Sequence, residues 1–333
     1  MKIYSEVGKL SNEELEKLIL SKLKNTRPEV IGSSSVGEDT ATLDLGGDYA
    51  VLSSDPITGA VDNLGKLAIY ISVNDVSTKS ADAVGVLLTL LLPVDTTSDE
   101  IEKIMADAQQ AAEDVEMDIV GGHTEITDAV TKPVMISTVI GRVKKENMPD
   151  INRIEAGDVV AMTKYAGLEG TAILCNDFPE KLRNMGEELL LSGQNLVEEL
   201  SVQTEGEMAA AYRVGYMHDV TEGGIEGAIW EASQLIGKGM RLNRKDIPVH
   251  DATRALESMI DVDIYRLISS GSMLVVLSAD KFCEMKRELD AEGILFTKIG
   301  EITEKKDVVF VGEEGGIDAP RSDELYSAIA QLQ

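Results

Sequence analysis

The stretch from Leu64 to Val86, LGKLAIYISVNDVSTKSADAVGV, constrains the fold more than any other part of the chain. Leu64, Leu67, Ala68 and Ile71 recur at helical spacing, and the helix they predict runs into Val73-Asn74-Asp75-Val76 before a turn of small residues. An almost wholly apolar run, Val84 to Leu92, follows it. Helix and run both belong in a core, so Asn74 and Asp75 put two oxygen-bearing side chains at the edge of a packed interior. A carboxylate buried there without a partner is costly. Asp75 is therefore expected to meet a cation, a hydrogen-bond donor or water. A plain helix-end cap fits the same residues, since Asn and Asp favour turns.

With 333 residues the chain is long enough for two cores, because single cores rarely grow past roughly 250–300 residues. Strands and helices are mixed without strict βαβ alternation, which favours an α+β fold. The polar segment from Lys144 to Glu155, containing Pro149, marks the expected boundary between a unit of residues 1–150 and one of 151–333. A formal net charge of -28 argues against nucleic acid or an anionic membrane as partner, because phosphate binding needs clustered Lys and Arg. It also means that an anionic substrate needs a divalent cation or a local basic patch. Cys175 and Cys283 form no CxxC pair, and Cys283 is expected to pack within a helix carrying Phe282, Met285 and Leu289. The opening MKIYSEVGKL lacks the apolar core of a signal peptide, and the apolar run Val84 to Val94 is too short to span a bilayer. The cytoplasm is the expected compartment.

Capping boxes at Ser11/Glu14 and Thr97/Glu100 predict two helix starts. The first helix carries Leu15, Leu18, Ile19 and Leu23, and Pro28 stops it. Ile31 to Thr42 reads as a flexible loop, Tyr49 to Ser53 as a strand delivering Ser54-Asp55-Pro56, and Val134 to Arg142 as another strand. Ile119-Val120 reads as a short buried strand leading into a turn, Gly121-Gly122-His123-Thr124-Glu125. In the second half, Asp158 to Thr163 reads as a strand, Gly167-Leu168-Glu169-Gly170 as a helix start and Asn195 to Gly215 as a helix. His218 to Gly224 reads as a turn before a helix over Ile225 to Ile236. Strands over 273–277, 295–299 and 308–311 and helices over 281–289 and 323–332 complete the chain.

Familiar phosphate-binding signatures are absent. Gly65-Lys66 is followed by Leu67 rather than Ser or Thr, and there is no GxGxxG, HExxH or GxSxG; the three histidines are too scattered for a zinc site. What remains is a set of aspartates with small neighbours at the ends of apolar segments: Asp39, Asp55, Asp75 and Asp219. Carboxylates are the ligands Mg²⁺ prefers, with phosphate oxygens and water completing its octahedron. Bridging Mg²⁺ would let an acidic protein hold a triphosphate. The glycine pairs Gly121-Gly122 and Gly223-Gly224 offer backbone amides to phosphate, the second pair at a helix start. Taken singly, each Asp also reads as a turn or cap residue, and each glycine pair as a tight turn.

In order and spacing these motifs resemble the aminoimidazole ribonucleotide (AIR) synthetase superfamily, the PurM-like proteins. The superfamily includes selenophosphate synthetase, thiamine monophosphate kinase and the hydrogenase maturation dehydratase HypE. The resemblance is carried by Gly37-Glu38-Asp39-Thr40-Ala41, Ser54-Asp55, Gly65-Lys66-Leu67-Ala68 with Val73-Asn74-Asp75, and Gly121-Gly122-His123-Thr124. Gly157-Asp158, Gly167-Leu168-Glu169-Gly170 and His218-Asp219-Val220-Thr221-Glu222-Gly223-Gly224-Ile225 continue it along nearly the whole chain. It implies a two-domain α+β subunit that dimerises through N-terminal mixed sheets into a β-barrel, with a C-terminal α/β sandwich domain and ATP in a long cleft.

The same resemblance implies Mg²⁺ on Asp39, Asp55, Asp75 and Asp219, and a loop from Ser33 to Gly37 over the nucleotide. Gly37, Lys66, Asn74, Gly121, Gly122, His123, Thr124, Gly223 and Gly224 are the implied nucleotide-binding positions. Glu125 and Glu222 are candidates for substrate-proximal catalytic roles, a salt bridge or cap being the plain alternative. The segments GKLAIYISVND, MHDVTEGGIEGAIWEAS and SSGSMLVVLS look most like HypE. The chain departs from HypE at its Ala330-Gln331-Leu332-Gln333 end, where HypE carries its acceptor cysteine, and at Gly122-His123-Thr124-Glu125, where HypE usually reads GDTK. HypE's own reaction is therefore not expected. The expectation is a cytoplasmic, homodimeric, Mg²⁺-dependent enzyme that uses ATP on a small-molecule substrate. The alternative is a non-catalytic nucleotide-binding partner protein.

Overall fold

The computed structural model describes residues 11–22, 27–31, 38, 40–58, 63–313, 315–320 and 322–333. The first half contains α1 (Asn12–Leu18), β1 (Val30–Ile31), β2 (Ala41–Asp44), β3 (Tyr49–Ile57), α2 (Leu64–Ser77), β4 (Asp82–Leu92), α3 (Ser98–Asp114), β5 (Asp118–Ile126) and β6 (Val134–Val143). The second contains β7 (Val159–Thr163), α4 (Leu168–Asp177), α5 (Pro179–Leu182), α6 (Glu187–Asn195), α7 (Gln203–Ala209), β8 (Tyr216–Asp219) and α8 (Gly224–Ile236). It continues with β9 (Gly239–Leu242), α9 (Asp251–Met259), β10 (Met273–Leu277), α10 (Ala279–Ala291), β11 (Phe296–Thr303), β12 (Val308–Phe310) and α11 (Glu324–Leu332). Two mixed six-stranded sheets result, ordered β1-β2-β3-β6-β4-β5 and β12-β9-β11-β7-β10-β8. Among the described residues, the β4–β5 and β12–β9 strand pairs are parallel and the other strand pairs antiparallel. The mixed α+β organisation expected from the sequence is present, and among the described residues neither sheet closes into a barrel.

α2 is the centre of the first half. Nearly all of it is buried, because β3, β4 and β6 cover one side and α3 and α7 cover others. That surrounding explains a helix with no polar face. Ser72 and Ser137 satisfy each other beneath it at 2.6 Å. α3 behaves differently, burying Ile104, Ala108, Ala111 and Ala112 on one face, with Ile101 and Met105 packed at its margin, behind its Thr97/Glu100 capping box. The two helices approach so closely at Gly65 that a Cβ there would lie 2.2 Å from the Ile104 carbonyl oxygen. Any side chain at this position would push the helices apart.

The apolar run over β4 splits between two faces. Val86, Leu88, Leu90 and Leu92 pack toward α2 and α3, while Val84 and Leu87 point outward. Register shifts between Ala83 and Gly85 and between Val86 and Leu87 account for the uneven spacing. With Val120 and Ile140, the outward pair makes an exposed apolar face on the sheet. The second sheet is covered on both sides, and its central strands β7 and β10 are almost wholly apolar. Val160, Met162, Leu274 and Val276 meet Ile225, Ala228 and Ile229 of α8. Val159, Ala161, Val275 and Leu277 meet Met285 and Leu289 of α10.

Several local expectations need correction. β3 does not stop at Ser53 but carries Asp55 and Pro56 to Ile57; β2 pairs with it only as far as Leu52, so a residue lacking an N–H is tolerated on the free edge. Gly121 and Gly122 lie inside β5 rather than in a turn, and β5 is a largely exposed edge strand. A Cβ on Gly122 would sit 1.8 Å from the Leu88 carbonyl oxygen, so the strands can pair here only with glycine. His218 and Asp219 end β8 instead of opening a turn. The helix expected over 195–215 is broken, because the backbone at Leu200 and Val202 turns aside to bond Asn74. α1 stops at Leu18, and Leu23 lies outside the described residues. Cys283 is exposed, one residue out of phase with the inward Met285 and Leu289, while Cys175 is buried. β9 and α9 were not anticipated. Among the described residues, no helix is long and apolar enough to cross a membrane.

Candidate functional site

A cleft of about 380 Å³ runs between the two halves. One wall comes from the first sheet and its central helix: Asp55, Ile57, Leu67, Ile71 and Asp75. Alternation along β3 turns Val51, Ser53, Asp55 and Ile57 toward α2. Asp75, in the last turn of α2, therefore meets that face of the strand. Ser53 Oγ donates to Asp75 Oδ2 and also lies 3.5 Å from Asp55 Oδ2. One hydroxyl proton thus stands between two carboxylates, one of them buried. That donor set suits Mg²⁺, which takes one or two carboxylates and fills its remaining positions with water and phosphate oxygens. Among the described residues no three His, Cys, Asp or Glu side chains converge to hold a metal unaided. Gly37 and Asp39 lie outside those residues.

The opposite wall belongs to the second half. Glu169 stands in the first turn of α4, Thr221 and Glu222 follow β8, and Asp323 caps α11. Asp323 fastens three segments through backbone N–H groups, accepting from Gly223 at 2.7 Å, Leu325 at 2.8 Å and Ile268 at 3.2 Å. Burial still pushes its pKa up to about 6, against those hydrogen bonds and with added repulsion from Glu222. Tyr326 Oη donates to Glu222 Oε1 at 3.3 Å. Glu169 is 4% exposed, and its Oε2 has no hydrogen-bond partner among the described residues. Desolvation pushes its carboxyl up to about 7; neighbouring Ser270 opposes this, and the charges of Asp323 and Glu222 add to it.

These raised values set a pH dependence. Folded Glu169 holds a proton that the unfolded chain releases near its ordinary value of 4.5. The stability it contributes is therefore complete below about 4.5 and lost as pH rises through about 7. Asp323 acts in the same direction, from 3.8 up to about 6. Glu169→Gln is expected to flatten the fall in stability between pH 5 and 7. It should leave the variant more stable than the wild type at pH 8 by up to roughly 3 kcal/mol. Urea denaturation across that range checks this; parallel curves for the two proteins would refute it.

The other sequence-derived candidates divide by location. Asn74 is fully buried outside the cleft lining: its Nδ2 donates to the Leu200 carbonyl at 2.7 Å and its Oδ1 accepts from Val202 N–H at 2.9 Å. Lys66 pairs with Glu198 at 2.5 Å. Asp219 is buried at the end of β8, 3.8 Å from His218 Nδ1, while His218 Nε2 reaches Glu231 at 2.9 Å. Gly223 and Gly224 open α8, the first donating to Asp323.

Gly121, Gly122, His123, Thr124 and Glu125 lie on β5, where His123 and Glu125 face each other at 3.4 Å in solvent. The register Asp55–Ser137–Leu88–Gly122 puts three strand spacings between that segment and Asp55, roughly 14 Å. The structure thus brings Asp55, Asp75 and Glu222 to one cleft and leaves the β5 group outside it. Glu169 and Asp323 were not singled out from sequence. An acidic residue in a first turn or at an N-cap reads as helix chemistry, and its burial is set by other segments.

The N-terminal AIR synthase related model matches residues 37–143, and the C-terminal one matches 155–313. A putative hydrogenase expression/formation protein of Methanocaldococcus jannaschii is 23% identical over 84% of each chain. Carbamoyl dehydratase HypE of Escherichia coli is 26% identical over 86% of this chain and 88% of its own. In fold, AaThiL complexed with AMPPCP and TMP superposes with a TM-score of 0.74 at 18% identity, over 93% of this chain and 97% of that one. HypE in complex with ATP gives 0.66 at 21% identity, over 96% and 97%. Both halves of the chain are thus matched in sequence and in fold, and the protein belongs to the AIR synthase related family.

Proposed function

We propose that this protein is an ATP-dependent, HypE-like enzyme that transfers the γ-phosphoryl group of ATP to an amide, formyl or thiocarboxamide-type oxygen of a small molecule. The observation that carries the reading is the Asp55–Ser53–Asp75 arrangement on one wall of a cleft that faces the acidic residues of the other half. The family supports it: carbamoyl dehydratase HypE, selenide, water dikinase and a phosphoribosylformylglycinamidine synthase subunit are relatives by sequence. A HypE complex with ATP shares the fold. Asp55 and Asp75 would hold Mg²⁺, with Asp39 and Asp219 as further ligands. When bound, the ion would neutralise phosphate charge in a protein of net charge -28.

The chain's own residues do the rest. Ser53 orients Asp75, and apolar Leu67, Ile71 and Ile57 exclude water from the reacting end. The second-half wall positions the acceptor, with Glu222 held by Tyr326. Units of residues 1–150 and 151–333 would provide the two walls. A second copy would cover the exposed Val84, Leu87, Val120 and Ile140 face, making a homodimer in the cytoplasm.

Release of ADP by the purified protein with Mg²⁺, across amide and amine acceptors, tests the activity; sedimentation velocity tests the dimer. Acceptor-dependent ADP release is the expected result. Persistent nucleotide binding with no turnover under any condition would instead identify a non-catalytic partner protein.

A further inference from the structure

The cleft is chemically lopsided beyond what a nucleotide and a metal require. Among the described residues, five carboxyl groups line it (Asp55, Asp75, Glu169, Glu222 and Asp323), against a single cation, Lys132. Asp55 and Asp75 sit together around Ser53. Asp323 is held by three backbone N–H groups, and Glu222 accepts from Tyr326. Glu169 differs from them all: it is 4% exposed, it lines the cleft, and its Oε2 has no hydrogen-bond partner among the described residues. A buried acceptor left in that state is destabilising unless something supplies a donor. Ser270 is its polar neighbour, and the lining also carries the aliphatic side chains of Ile173, Ile268 and Leu325.

Resting on the proposed phosphoryl transfer in this same cleft, we infer that the acceptor substrate is a small organic cation. Its ammonium or amidinium group would be received by Glu169, and its apolar body by the surrounding isoleucines and leucine. An anionic acceptor would meet repulsion from the second-half wall, and a neutral one would offer no opposite charge to the buried carboxyl when it ionises. A cation supplies both the N–H donor and the opposite charge, while its far end points across the cleft toward Asp55 and Asp75. Glu169 is then a specificity-determining residue, distinct from those that hold the nucleotide.

Calorimetry on the full chain tests this with benzamidinium, benzamide and benzoate as probes of one shape and three charges. Each is titrated with and without AMPPCP and Mg²⁺. Wild-type protein should bind benzamidinium at least tenfold more tightly than benzamide and show no binding of benzoate. Glu169→Gln should lose at least tenfold in benzamidinium affinity, with benzamide unchanged. Benzoate binding as tightly as benzamidinium to the wild type would overturn the inference without recourse to any variant, and so would unaltered benzamidinium affinity in a folded Glu169→Gln protein. AMPPCP titrated alone keeps the two readings apart. Nucleotide binding with no preference among the three probes sinks the cation site and leaves the ATP reading standing. A benzamidinium preference that depends on Glu169, in a protein that binds no AMPPCP, supports the cation site and sinks the ATP reading.

Discussion

Replacing Asp75 with Asn is expected to lower Mg²⁺-dependent ATP turnover by on the order of 10² or more, the scale of losing one preorganised charge-stabilising group. The same change should leave the unliganded protein as stable as before or slightly more so. Asn keeps an oxygen to accept from Ser53 Oγ and removes one of two carboxylates crowded around that hydroxyl. The pairing of outcomes is what discriminates: a residue serving only as a helix-end cap would give up stability, whereas a metal ligand gives up function and relieves repulsion. Turnover, Mg²⁺-nucleotide titration by calorimetry and urea denaturation on the same preparation check both halves. Unchanged nucleotide affinity in the variant would remove Asp75 from the metal site.

Asn74, its neighbour, is expected to behave in the opposite way. Asn74→Leu keeps the branching of the side chain, with two methyl groups in place of the amide oxygen and nitrogen, but strands the Val202 N–H and the Leu200 carbonyl in a dry interior. Each such group costs about 1–3 kcal/mol, so the variant should be less stable by roughly 3–4 kcal/mol and melt several degrees lower. Because those two bonds fasten α2 to the segment before α7, the cleft between the halves should loosen with them. Nucleotide affinity should then fall only as far as the protein opens. A stable Asn74→Leu protein that had lost nucleotide binding would show instead that the amide contacts ATP, as the family resemblance implies. Adjacent residues in one helical turn would then carry separable duties, since successive positions on a helix point about 100° apart.

That separation marks how far the residues alone can be read. The Leu64–Ser77 helix was legible because an apolar segment with helical spacing and no polar face has few other places to go. The Thr97/Glu100 cap, the helix over Ile225 to Ile236 and the largely apolar strands over 159–163 and 273–277 followed from equally local rules. Gly121-Gly122 was misread because a glycine pair signals a turn unless one knows that the Leu88 carbonyl lies against it. The break in the 195–215 segment was invisible for a similar reason. Its cause, Asn74, is more than a hundred positions away in the chain.

What the sequence determined by itself was the two-unit α+β plan, the central buried helix and the aspartates eligible to bind a cation. Spacing, capping and the cost of an unpaired buried carboxylate act over a few residues and leave their mark on the order of the letters. Only the tertiary structure decided which of those carboxyl groups face one another. It joined Asp55 to Asp75 through Ser53, and it kept Gly121–Glu125 on a distant edge strand. It also buried Glu169 and Asp323 in the opposite wall. Burial and electrostatic coupling depend on what packs around a group, and here that packing comes from segments remote along the chain.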